Sequence, residues 1–134
     1  MTAITVGTVQ AGLGARVSHA RNGEAVAAGK AIYLDATDMN RAKLADPAAE
    51  ASAQLAGFTV AGGADEGYCA YVSEGVVIFS GSPLTKGTWY ALSPTPGGIG
   101  PLSDLDTGDY PTLCGYALDS DRLYVRRVIP TVSL

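Results

Sequence analysis

Histidine occurs once in this sequence and cysteine twice, so the side chains that most often ligate metals or act as nucleophiles are nearly missing. His19, Cys69 and Cys114 are too few and too widely spaced for a structural zinc tetrad. Charge is also scarce. Charged residues make up 16% of the chain, against about 25% for a typical soluble domain. The net charge is −4, and no dense Lys/Arg track of the kind a nucleic-acid groove needs is present. Arg122, Arg126 and Arg127 form a small cluster that suits a solvated strand face or a protein contact. No apolar run approaches the ~20 residues of a membrane-spanning helix. Residues 1–10 lack the basic start and apolar centre of a signal peptide, so synthesis in a cytoplasm is expected. Cys69 and Cys114 then read as reduced, buried thiols, with a disulfide open to them only if their strands are neighbours.

Apolar residues and glycine are plentiful, at 47% and 17 residues, which rules out a disordered chain and indicates many turns in one domain of 134 residues. The glycines carry a pattern. Gly87-Thr88-Trp89-Tyr90-Ala91-Leu92, returning through Leu113-Cys114-Gly115-Tyr116, mirrors Gly29-Lys30-Ala31-Ile32-Tyr33-Leu34, returning through Leu55-Ala56-Gly57-Phe58. The offset is 58 residues throughout, and Gly23/Gly81, Leu44/Leu102 and Asp46/Asp104 keep it too. A fixed register of this kind indicates an internal repeat, with halves at about 23–60 and 81–118 sharing one core.

In chain order, residues 1–16 read as an N-terminal arm or edge strand, and 17–134 as a single β domain. Short β-branched and aromatic runs at 31–34, 58–60, 68–72, 76–79, 89–92, 113–118 and 123–128 are bounded by turn residues, including Glu74-Gly75. Asp46-Pro47-Ala48-Ala49-Glu50 has the cap, proline and acidic first turn of a helix start, so a short helix is expected up to Ala56. The fold class is therefore all-β, a small barrel or sandwich with an internal pseudo-repeat and one short helix.

Catalytic and metal motifs are not found. His19 has no partner pattern of a catalytic base. Asp104, Asp106 and Asp109 lack the sixth-position glycine and distal glutamate of a calcium loop, and read as a solvated loop. Gly97-Gly98-Ile99-Gly100 has no Lys-Ser/Thr ending and opens no helix, so it is no phosphate cradle. The chain is read as a non-enzyme without cofactor or metal. Its tyrosines and Trp89 suit core and subunit interface better than a sugar platform, because adjacent Trp89 and Tyr90 point to opposite sheet faces.

The run Ala28-Gly29-Lys30-Ala31-Ile32-Tyr33-Leu34-Asp35, followed by Ala56-Gly57-Phe58-Thr59-Val60-Ala61 and by Gly67-Tyr68 through Val77, resembles tailed-bacteriophage capsid decoration (cement) and head-fibre proteins. The resemblance spans roughly 23–128. It implies a virion structural protein on the capsid surface that binds the major capsid protein, commonly as a homotrimer. Alternatives are a phage tail, collar or fibre subunit, which the segment Ser93-Pro94-Thr95-Pro96-Gly97-Gly98 also resembles, or a carbohydrate- or receptor-binding module. On the decoration reading the N-terminal arm clamps a neighbour, with Ile4, Val6, Val9 and Leu13 as the capsid contact.

Overall fold

The computed structural model describes residues 4, 8–130 and 132–134. Ten strands follow one another along the chain: β1 (Val9–Ala11), β2 (Arg16–Arg21), β3 (Ala31–Asp35), β4 (Arg41–Leu44), β5 (Leu55–Ala61), β6 (Tyr68–Phe79), β7 (Trp89–Leu92), β8 (Ile99–Pro101), β9 (Leu113–Ala117) and β10 (Arg122–Val128). The fold is all-β, a curled antiparallel sheet in the order β4-β3-β5-β6-β10-β9-β7-β8, with β1 and β2 both paired to β6. That order is a palindrome. Each half contributes the same four-strand unit, β4-β3-β5-β6 or β8-β7-β9-β10, and the two units meet where β6 pairs with β10.

The halves agree in register as well as order. Ala31, Ile32 and Tyr33 face Phe58, Gly57 and Leu55, and Trp89, Tyr90 and Ala91 face Tyr116, Gly115 and Leu113, with a bulge at the same step. Gly29 N–H donates to Thr59 O at 2.8 Å, and Gly87 N–H donates to Ala117 O at 2.8 Å. Both glycines sit in the left-handed region, at φ 81° and 79°, where a Cβ is disfavoured. The 58-residue offset is thus carried into the backbone, because the turn glycines and the bulge recur at the same places.

Alternation along the strands divides the interior in two. The main core gathers Phe58, Val72, Val77, Phe79, Leu92, Ile99, Leu123 and Val125. Phe58 meets Phe79 edge to face with ring centroids 5.3 Å apart. The alternate residues Ile32 and Tyr71 turn to the opposite side, where Val26, Ala42 and Cys69 complete a smaller cluster. Both ends of the sheet path are met by the N-terminal part of the chain. Gly23 N–H donates to Ala42 O of β4 at 2.9 Å, and Ile4 N–H donates to Ile99 O of β8 at 3.0 Å.

Three expectations are corrected. The segment from Asp46 to Ala56 is not a helix but a run of turns leading into β5. Asp46 Oδ1 does accept from Ala48 N–H at 2.9 Å, as a cap would. However, so short a segment is marginal as a helix, and its carbonyls are taken by tertiary donors. Tyr110 N–H donates to Pro47 O at 2.8 Å, and Thr112 Oγ1 donates to Ala53 O at 2.7 Å. The turn expected at Glu74-Gly75 is instead the middle of the 12-residue β6. Gly75, at φ 117°, absorbs the distortion without reversing the chain, and two residues before it the β2 register shifts at Ser73, between Arg16 and Val17. Residues 99–101, absent from the strands expected above, form β8, an edge position where Pro101 needs no N–H. β4 went unread because Arg41 and Lys43 disguise a half-buried strand.

Gly57 and Gly115 are where the two units are least tolerant. A Cβ on Gly57 would collide with Val72 O, and one on Gly115 with Tyr124 O. Gly57→Ala and Gly115→Ala are each expected to lower stability by about 3 kcal/mol. Gly81→Ala, with open space around it but φ 81°, should lose only about 1–2 kcal/mol. Urea denaturation of the three variants would check this ranking, and a Gly81 variant as damaged as the other two would refute it.

Candidate functional site

Where β7, β9 and β10 lie side by side, their register places Trp89 opposite Tyr116 and Tyr116 opposite Tyr124. The next residue in the row is Val76 of β6. Trp89 and Tyr116 have ring centroids 5.0 Å apart and tilted, and Tyr116 stacks on Tyr124 at 5.5 Å with an interplanar angle of 10°. Their neighbours in sequence, Tyr90, Ala117, Leu123 and Val125, are buried in the main core. The aromatic row therefore lies on the outer face of the sheet, and Trp89 is 40% exposed. Tyr90 points inward, its hydroxyl accepting from Thr85 N–H at 2.8 Å. Cross-strand aromatic pairs of this kind contribute roughly 0.5–1.5 kcal/mol each beyond their buried area. The three rings thus brace one another across the strands.

Next to this row opens a cleft of about 530 Å³ lined by Arg16, Ser73, Glu74, Arg126, Arg127 and Ile129. Arg126 is two residues beyond Tyr124 on β10, and Glu74 two before Val76 on β6. Arg127 Nη1 donates to Leu55 O at 3.2 Å. Arg122, third in the basic cluster read from sequence, is separate: it pairs with Asp119 at 2.7 Å.

Of the four residues expected to clamp a neighbour, three are described, and they are placed differently. Ile4 is half-buried against the main core, and Val9 lies in β1 opposite Phe79. Leu13 is fully exposed at the tip of the turn closed by Ala15 N–H donating to Gly12 O at 3.2 Å. Val6 lies outside the described residues. Of the other three, Leu13 is the side chain offered outward.

His19 is exposed on β2. Among the described residues, no three His, Cys, Asp or Glu side chains come together as a metal set. Asp106 is exposed and Asp109 half-buried, and Asp106 N–H donates to Asp109 Oδ2 at 3.0 Å. Asp104, by contrast, is buried, with both carboxylate oxygens lacking a hydrogen-bond partner, which differs from the expected solvated loop. The glycines at 97–98 use their amides internally: Gly97 N–H donates to Ala45 O at 2.7 Å and Gly98 N–H to Thr95 O at 2.9 Å. Cys69 and Cys114 are free and sit in different apolar clusters. Burial pushes both thiols above the ordinary range. Lys43 lies between two carboxylates, 2.8 Å from Asp35 and 3.3 Å from Asp38. The Lys43 hydrogen bond, with help from Thr37, holds the Asp35 carboxyl at about 2.

At pH 8 neither thiol should react with a disulfide reagent in the native protein, whereas unfolding should release two per chain. Rapid native labelling would contradict this placement. The Asp35 contribution has a definite sign. A carboxyl depressed below its unfolded value, about 3.9, stabilises fully above that pH and loses its contribution as pH falls toward 2. Thermal melts between pH 5 and pH 2 should thus show a shallower decline for Asp35→Asn than for the parent.

No protein-family model and no curated protein matches the chain.

Proposed function

We propose that this protein is a non-enzymatic virion component that decorates a phage head, binding the major capsid protein through the outer face of β7, β9 and β10. The observation that carries the reading is the outer-face row of exposed Trp89 and half-buried Tyr116 and Tyr124, continued by Val76. Aromatic side chains held rigid on an open sheet face lose little entropy when covered, and such residues dominate protein–protein binding energy. The low charge of the chain and the sequence resemblance to decoration proteins point the same way. The rest of the apolar surface is suited to the same task. Leu13 projects at a turn tip, and Val128, Ile129, Val132 and Leu134 are exposed at the C-terminal end. Assembly as a homotrimer on the capsid surface belongs to this reading.

A second reading is favoured by the same rings. A stacked aromatic row on a sheet face also suits the apolar face of a sugar, as a carbohydrate- or receptor-binding module of a tail or fibre would use it.

Cosedimentation with empty expanded heads, with isolated tails as control, separates these. Saturable binding to heads is expected, weakened about 30-fold by Trp89→Ala or Tyr124→Ala, the loss typical of a central hot-spot residue. Both variants should keep the parent circular dichroism, since the rings lie outside the main core. Binding confined to tails, or Trp89 fluorescence that responds to a glycan and not to heads, would replace decoration with the second reading.

A further inference from the structure

We infer that the cleft between β2, β6 and β10 is a docking site for an acidic segment of the partner protein, whose carboxylates Arg16, Arg126 and Arg127 receive. This deepens the proposed docking function and rests on it.

The arginines come from two places that the fold brings together. Arg16 opens β2 directly opposite Glu74 of β6. Arg126 and Arg127 follow the Val125–Gly75 pair at the end of β10, where the register against β9 shifts between Val125 and Val128. In an unbroken strand Arg127 would share the inward face of Val125, which is buried. The bulge breaks this alternation and leaves both arginines exposed. A Cβ on Gly75 would lie 2.8 Å from Ala15 Cα, so bare backbone is required where the turn before Arg16 crosses β6.

The electrostatics select the occupant. Three guanidinium groups face a single carboxylate, Glu74, in a chain whose net charge is −4. Among the described residues none of the three forms an ion pair, whereas Arg21, Arg41, Lys43 and Arg122 are each neutralised by a neighbouring acid. An unneutralised planar fork is suited to a carboxylate or a phosphate. The cleft favours the carboxylate. Ile129 offers an apolar wall that a peptide side chain can cover and a bare phosphate cannot, and a chain of net charge −4 opposes a long nucleic-acid track.

The test uses the isotope-labelled full chain and two probes, a hexaglutamate peptide and a six-residue oligonucleotide, with hexaglutamine as the uncharged control. Hexaglutamate should shift the side-chain N–H signals of Arg16, Arg126 and Arg127, and raised salt should weaken its binding. The pair Arg126→Gln and Arg127→Gln should reduce affinity about tenfold, while the remaining backbone spectrum stays unchanged. Shifts elsewhere on the surface, equal binding by the double variant, or tighter binding of the oligonucleotide would overturn the inference. Cosedimentation of the same double variant distinguishes the two failures. Heads bound as well as by the parent would sink the cleft and leave decoration standing. Absence of head binding by the parent itself would sink decoration, and the peptide titration would still decide what the cleft holds.

Discussion

Everything in this fold depends on β6 being hydrogen-bonded along its whole length. It is the longest strand, and four others pair with it: β2 and β5 along its first part, β1 and β10 along its second. Neither four-strand unit closes its core alone. Val72 and Phe79 lie on β6, and the residues that cover them come from both halves. A hairpin at Gly75 would have split the molecule into two marginal sheets with exposed edges, a poor state for units of this size. The bend at Gly75 instead lets one strand serve both halves without losing its ladder.

The pseudo-symmetry follows from backbone demands more than from side chains. Facing positions in the two halves differ freely: Ile32 corresponds to Tyr90, Tyr33 to Ala91, Phe58 to Tyr116. What is kept is glycine where a turn needs positive φ, at Gly29 and Gly87, and glycine where a neighbouring carbonyl approaches, at Gly57 and Gly115. Side-chain freedom at the remaining sites explains how one unit acquired an outward aromatic row. Tyr116 occupies the position at which the first unit buries Phe58 in the main core.

This also explains what the sequence made legible. The all-β class, most strand positions and the two-unit organisation rest on glycine spacing and apolar alternation, both of which act locally. The segment 46–56 has good local helix signals, yet its backbone groups are claimed by Tyr110 and Thr112, more than fifty residues away. No local signal could report that competition. The opposite orientation of Trp89 and Tyr90 was readable from strand period alone, and with it the division between core and surface rings. The cleft was not readable. Arg126 and Arg127 stand together in sequence, but Arg16 and Glu74 join them only through the β2–β6 register, and the bulge that turns Arg127 outward has no signature of its own.

The aromatic row and the arginine cleft are consecutive on β10 and β6, and this adjacency sets how a docking surface here divides its labour. Covering Trp89 and its neighbours supplies affinity that is nearly independent of direction, since apolar burial has no preferred angle. A sheet face this regular would by itself allow a partner to slide along the strands. Guanidinium groups at one end remove that freedom, because a charge-assisted pair is short and directional and an unmatched one is costly. In the proposed docking, three arginines that form no ion pair among the described residues would fix orientation as well as add affinity beside the aromatic row. Apolar contact keeps a partner bound, and a few charged contacts choose one of several nearly equivalent positions.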